Sequence, residues 1–202
     1  MSHDDQQRDP AGSHRGTRRK RRRQQVSPES LERWALRHLE RYASSAANLR
    51  QVLYRRVYRI ERDREESFPE APAWIDATLE ELLERGYLDD RKYAISQVER
   101  MRARGASSKR IQYTLREKGV PRAIALEADA RASGEGGEFR AALHYARRRR
   151  LGPFCLDPEV RASRRERDLA ALGRSGFCYE IASRIVEAKD ADTLDSASFG
   201  SQ

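Results

Sequence analysis

The chain has 202 residues, 38% hydrophobic and 36% charged, a polar balance that leaves room only for a thin core distributed along its length. Its 41 Lys and Arg against 32 Asp and Glu give +9, which points to nucleic acid or an acidic protein surface as partner. Two cysteines exclude a disulfide framework, no apolar run approaches the ~20 residues of a membrane span, and the basic N-terminus lacks the apolar stretch of a signal peptide; a cytoplasmic protein is expected.

Residues 1–26 carry eight basic and three acidic side chains, hence +5 of the total, with Val26 as the only large apolar residue. Such a segment cannot bury enough surface to offset its ordering entropy, so it is read as a disordered basic tail. Its run Arg18, Arg19, Lys20, Arg21, Arg22 and Arg23 suits nonspecific contact with DNA phosphates, or simple solubilisation. The far end, 189–202, is read as a loose acidic tail containing Asp190, Asp192 and Asp195.

Between the tails the apolar period is helical throughout. Leu31, Trp34, Ala35, Leu39 and Tyr42 make a first stripe, with Ser27 as N-cap and Pro28 in the first turn. Leu49, Val52, Leu53, Val57 and Ile60 make a second. Ile75, Leu79, Leu82 and Leu83 make a third, stopped by Gly86. Asp89 or Asp90 then caps a helix burying Ala94, Val98 and Met101. Ser107 opens a helix with Ile111 and Leu115, closed by Gly119, and Pro121 opens another with Ile124 and Ala128. A third round has Ala142, Leu143 and Ala146, a helix running from Asp157 and Pro158 to Gly176, and a last helix with Ile181, Ile185 and Val186.

The rounds align. Ser45, Leu49 and Leu53 match Ser107, Ile111 and Leu115, while Gly119, Val120 and Ile124 match Gly176, Phe177 and Ile181. The expected fold is all-α: three tandem three-helix units over 27–88, 89–133 and 134–188, stacked into an elongated, curved repeat molecule. Two places break the period. Val57 stands where the first unit should have its glycine, followed by a charged connection over 61–73, and 161–168 are too polar for an ordinary core helix.

No catalytic or cofactor pattern emerges. Gly134-Glu135-Gly136-Gly137 lacks the Lys-Ser/Thr ending of a phosphate loop and reads as a linker. His3, His14, His38 and His144 are scattered, and none pairs with a cysteine at metal-ligand spacing. The candidates that remain are basic. Arg147, Arg148, Arg149 and Arg150 form the densest cationic run of the body, either a solvated helix end or a binding surface. Arg161, Arg164 and Arg165 form a second stripe, and Lys109 and Arg110 a third candidate. Arg55, Arg59 and Arg62 have Glu61, Asp63, Glu65 and Glu66 nearby and read as a neutralised surface. Trp34 and Trp74 read as packing residues.

The string Leu82-Leu83-Glu84-Arg85-Gly86-Tyr87-Leu88-Asp89-Asp90, followed by Tyr93-Ala94, resembles the signature of the RecX family. Ala35-Leu36-Arg37-His38-Leu39 upstream, the set Gly105, Ile111, Leu115, Arg116, Lys118, Gly119 and Val120 downstream, and Gly176-Phe177 with Tyr179 and Ile181 extend the likeness over about 29–188. The resemblance implies tandem three-helix units and no catalytic residues or cofactor. It also implies a monomeric regulator in DNA repair, recombination and the SOS response. Its expected partners are RecA protein and its filament, with single- and double-stranded DNA bound nonspecifically and the RecA ATPase damped. A helical DNA-binding protein without a RecA partner, and a scaffold for acidic proteins, are the alternatives.

Overall fold

The computed structural model describes residues 25–134 and 136–194. Among them are ten α-helices and no strand: α1 Pro28–Leu39, α2 Ala46–Arg64, α3 Ala71–Glu84, α4 Asp90–Arg102, α5 Ser108–Glu117, α6 Arg122–Ser133, α7 Gly137–Arg149, α8 Pro158–Ser163, α9 Arg165–Arg174 and α10 Tyr179–Val186. A short 3-10 turn, Gly152–Phe154, follows α7. The run of tail cations from Arg18 to Arg23 lies outside the described residues.

The helices form three tandem units, each with its own apolar cluster. The first gathers Leu31, Leu49, Leu53, Val57, Ile75 and Leu82. The second gathers Ala94, Val98, Ile111, Leu115 and Val120, and the third Ala142, Ala146, Leu172, Phe177 and Ile185. Local signals set the helix ends. Ser27 and Ser30 form a reciprocal capping box at the start of α1. Asp89 accepts the Lys92 N–H at 2.9 Å, and that bond holds its carboxyl below the usual range. Gly119 and Gly176 take left-handed turns, and the apolar residue after each folds back: the Val120 N–H reaches the Leu115 carbonyl and the Phe177 N–H reaches that of Leu172.

The structure corrects the sequence reading in several places. Val26 belongs to the first core, where it packs one residue ahead of the Ser27 cap and staples the start of α1. At the other end, residues 191–194 make a helical turn, opened by the Asp190 carboxylate accepting from Thr193, and Leu194 is buried on the third core. Tyr42 lies beyond the end of α1 and is exposed, as is much of Leu83. No glycine is needed at Val57, because α2 continues through it; the left-handed residue is Glu65, φ 55°, at the C-cap of this 19-residue helix. The helix expected to run unbroken from Pro158 toward Gly176 is two, α8 and α9, parted at Arg164. α8 buries none of its residues, so nothing holds it on the axis of α9.

The units are joined by one repeated contact. The Ser45 hydroxyl, N-cap of α2, donates to the Lys118 carbonyl next to Gly119; the Ser107 hydroxyl, N-cap of α5, donates to the Ser175 carbonyl next to Gly176 at 2.6 Å. The first N–H of each of these helices meets a carboxylate from the next unit: Ala46 N–H to Asp90 Oδ1 at 2.9 Å, and Ser108 N–H to Glu138 Oε2 at 3.0 Å. Both turn glycines face the joint, and a Cβ on Gly119 would collide with the Ala47 side chain. Gly119→Ala is therefore expected to lower stability by about 1–3 kcal/mol in urea unfolding, through the positive φ of 69° and overpacking together. Gly173→Ala, inside α9 with nothing near its would-be Cβ, should instead stabilise by up to ~1 kcal/mol. Equal effects at the two positions would contradict the joint.

Candidate anion-binding cleft in the third unit

Counting back from the turn glycines, Asp168 stands eight residues before Gly176, where Ile111 stands before Gly119. A carboxylate thus occupies a core position, and it is only 1% exposed. Burial of a charge is costly unless it is paired and hydrogen-bonded. Here Oδ2 accepts the Gly152 N–H at 2.9 Å, and Oδ1 lies 3.9 Å from Arg164 Nε. The acceptor ties the loop after α7 to α9, which brings the C-terminal end of α7 beside one face of α9.

Between these elements opens a cleft of about 290 Å³ lined by Tyr145, Arg149, Leu151, Arg164, Arg167, Asp168, Ala171, Arg174 and Ser175. Four guanidinium groups face one carboxylate, so the cleft is net cationic, and the planar donors of arginine match phosphate or carboxylate oxygens in pairs. Arg149 lies over the Tyr145 ring at 5.9 Å with Arg148 at 6.0 Å, and Tyr145 in turn tilts against the buried Phe177 at 6.0 Å. The aromatic pair anchors the basic end of α7 to the third core.

The sequence candidates separate on this geometry. Arg149 and Arg164 meet at the cleft. Arg147 turns to Phe154, 5.3 Å from its ring, and Arg150 is the exposed left-handed C-cap of α7. Arg161 donates to the carbonyls of Ala188 and, at 2.9 Å, Lys189, capping the end of the α10 segment. Arg165 pairs with Glu187, a hydrogen bond that raises the arginine and lowers the carboxyl from their ordinary ranges. Arg161 and Arg165 thus hold the third unit together. Lys109 packs against the Gly176 turn, next to the Ser175 that lines the cleft, while Arg110 lies away on α5 beside Tyr113 and Arg116. Arg167 and Arg174 were missed on sequence. Their spacing with Arg164 and Ala171 places all four on one side of α9 and its N-cap, a stripe legible in the sequence as a helical period.

A family model described as the second three-helix domain of RecX matches residues 89–128. A Regulatory protein RecX of Myxococcus xanthus (strain DK1622) is 41% identical over 177 residues, covering 88% of this chain and 93% of the relative. The chain belongs to the RecX family. The RecX family proteins of Trichlorobacter lovleyi, 31% identical over 54% of this chain and 70% of the relative, and Agrobacterium fabrum, 28% identical over 75% and 79%, are also similar. The crystal structure of RecX from Lactobacillus salivarius shares the fold, with a TM-score of 0.59 over 84% of this chain and 97% of that one at 20% identity. These relatives are named as regulatory proteins. Among the described residues no helix is long and apolar enough to cross a membrane, and no group of His, Cys, Asp and Glu could hold a metal.

Because Asp168 satisfies a buried N–H, Asp168→Ala should cost about 1–3 kcal/mol in chemical denaturation. Asp168→Asn, which keeps a carbonyl oxygen for Gly152, should recover part of the loss. An Asp168→Ala variant as stable as the parent would show that the carboxylate does not organise the cleft.

Proposed function

We propose that this chain is a non-catalytic cytoplasmic regulator that binds RecA and the RecA–DNA filament as a monomer and lowers RecA's DNA-dependent ATPase and recombinase activity. Membership of a family of regulatory proteins supports RecA as the partner. The observation that carries the reading to particular residues is the convergence of Arg149, Arg164, Arg167 and Arg174 on one cleft. Phosphates of filament DNA or carboxylates of RecA are the anions such a cleft takes. Lys109, Arg148 and Arg150 border it or lie next to it in the chain, and the tail cations Arg18 to Arg23 add phosphate contacts that carry no sequence preference. Arg110, Arg147, Arg161 and Arg165 contribute less, since Arg161 and Arg165 are engaged within the unit and Arg110 and Arg147 lie against neighbouring rings. Restraint follows from bridging: a chain that contacts neighbouring protomers and the DNA backbone together favours one state of the filament over the states visited during ATP turnover.

RecA ATPase on single-stranded DNA, titrated with the protein, tests this. The parent should reduce the rate. The triple variant Arg149→Ala, Arg167→Ala, Arg174→Ala should weaken the inhibition by at least an order of magnitude at physiological salt, the scale expected for the loss of several phosphate contacts. Arg164 is left in place because it lies against the buried Asp168 carboxylate; the melting temperature of the triple variant should stay close to the parent's, because its three exposed cations contribute little to stability. A normally folded variant that inhibits as the parent does would remove the cleft from the binding surface. A parent without effect on RecA at any ratio would remove the function, and a DNA affinity persisting in that case would favour a plain DNA-binding protein.

A further inference from the structure

At the cleft Arg110 counts for little, but on α5 it belongs to a second basic feature. α5 runs from one joint to the other. Its cap Ser107 donates to the Ser175 carbonyl of the third unit, and the Lys118 carbonyl that follows it accepts from Ser45 of the first. The inner face of the helix buries Ile111 and Leu115 on the second core. The outer face carries Lys109, Arg110, Tyr113 and Arg116, all exposed. The Tyr113 ring is 48% exposed, with the Arg110 guanidinium 6.0 Å and the Arg116 guanidinium 5.4 Å from its centre. Each arginine is three positions from the tyrosine, so the two cations lie nearly one helical turn to either side of the ring. The ion pairs of the second unit are made elsewhere: Arg91 with Glu127, Lys92 with Asp89, and Arg102 with Asp129 and Glu138. Among the described residues no ion pair holds Lys109, Arg110 or Arg116, and Glu117, the one acid of the helix, reaches none of them. Tyr87 of the first unit is exposed as well and lies under Arg85, but that arginine is already held by Glu32 and Glu81.

We propose that the outer face of α5 is a binding site for single-stranded nucleic acid, in which one base stacks on Tyr113 and the flanking phosphates are held by Arg110 and Arg116. The ring decides the class of partner. A duplex offers phosphates, but its bases are already stacked on one another, and an acidic polypeptide offers charge but no base to lay on the tyrosine. Cations on both sides of an open ring suit a strand that passes over it. Lys109 extends the face toward the third unit, where it packs on the Gly176 turn beside Ser175 of the cleft lining. The two basic features therefore adjoin at the second joint while using different side chains.

Binding at this face requires no RecA, so its test is separate from that of the function proposed above. Fluorescence anisotropy follows a labelled oligothymidine binding to the full chain over a range of salt, with a duplex of equal length and a labelled polyglutamate measured beside it. Arg110→Ala with Arg116→Ala should weaken oligothymidine binding several-fold and make the slope of log affinity against log salt shallower by about 1.4, two contacts at about 0.7 each. The corresponding Lys substitutions should restore most of the slope. Tyr113→Ala should cost about fivefold on the single strand and nothing on the duplex, and Tyr113→Phe, which keeps the ring, should bind as the parent does. The same losses should appear when Arg149, Arg167 and Arg174 have already been replaced by Ala, because the face does not use the cleft. Melting curves confirm that each variant folds. An unchanged affinity and salt slope in the folded Arg110/Arg116 variant overturns the site. Equal losses on single strand and duplex for Tyr113→Ala overturn the stacking and with it the preference for a single strand. Polyglutamate binding that falls with these substitutions while oligothymidine binding is untouched overturns the proposal in favour of an acidic protein partner.

Discussion

A helix N-terminus leaves backbone N–H groups that its own helix cannot satisfy. Twice in this chain such an end is pressed against the next unit, and everything about the tandem arrangement depends on how those groups are met. At α2 and at α5 the solution is the same: a serine caps the helix and also donates its hydroxyl across the joint to the carbonyl beside a left-handed glycine, while the first N–H reaches a carboxylate at the start of the next unit. The glycine is required twice over, by its positive φ and by the absence of room for a Cβ. At the second joint a further layer is added. Arg102, 10% exposed, donates to Asp129 at 2.7 Å within its own unit and to Glu138 at 2.5 Å across the joint. A unit of this size buries too little apolar surface to be robust alone, so such joints convert three marginal units into one body.

The third unit uses the same positions differently. Twelve residues before Gly176, at the place of Ser107, stands Arg164, which is the N-cap of α9 and makes no side-chain cap bond there. Four residues on, the core isoleucine is replaced by Asp168. Both changes would weaken an internal unit. Here they redirect the same positions: the carboxylate holds the loop after α7, and the arginine joins Arg149, Arg167 and Arg174 around a cleft. The position that supplies a joint serine in the first two units supplies a cleft arginine in the third.

This division explains what could be read from the sequence. The helical period, the serine caps and the two turn glycines were legible because each is a local signal with a local cause. Their cross-unit role was not, since no periodicity tells which carbonyl a capping hydroxyl will find 68 residues away. The basic run Arg147 to Arg150 was visible as charge, but which of its members faces a partner depends on the rings of Tyr145 and Phe154 beneath it. Arg161 and Arg165 looked equivalent to Arg164 and are not, because the end of α10 supplies acceptors for two of the three. Of the acids near the α2 arginines, Asp63 pairs with Arg62 while Glu61 accepts a loop N–H at Phe68, a choice that proximity in sequence does not settle.

The central claim is that the joints make the three units one cooperative structure, and scanning calorimetry of the full chain measures this directly. A single transition in which the calorimetric and van't Hoff enthalpies agree is expected, separating into more than one transition when Ser45 and Ser107 are both replaced by Ala. Separate transitions already present in the parent, with midpoints that do not move when the two serines are removed, would contradict it.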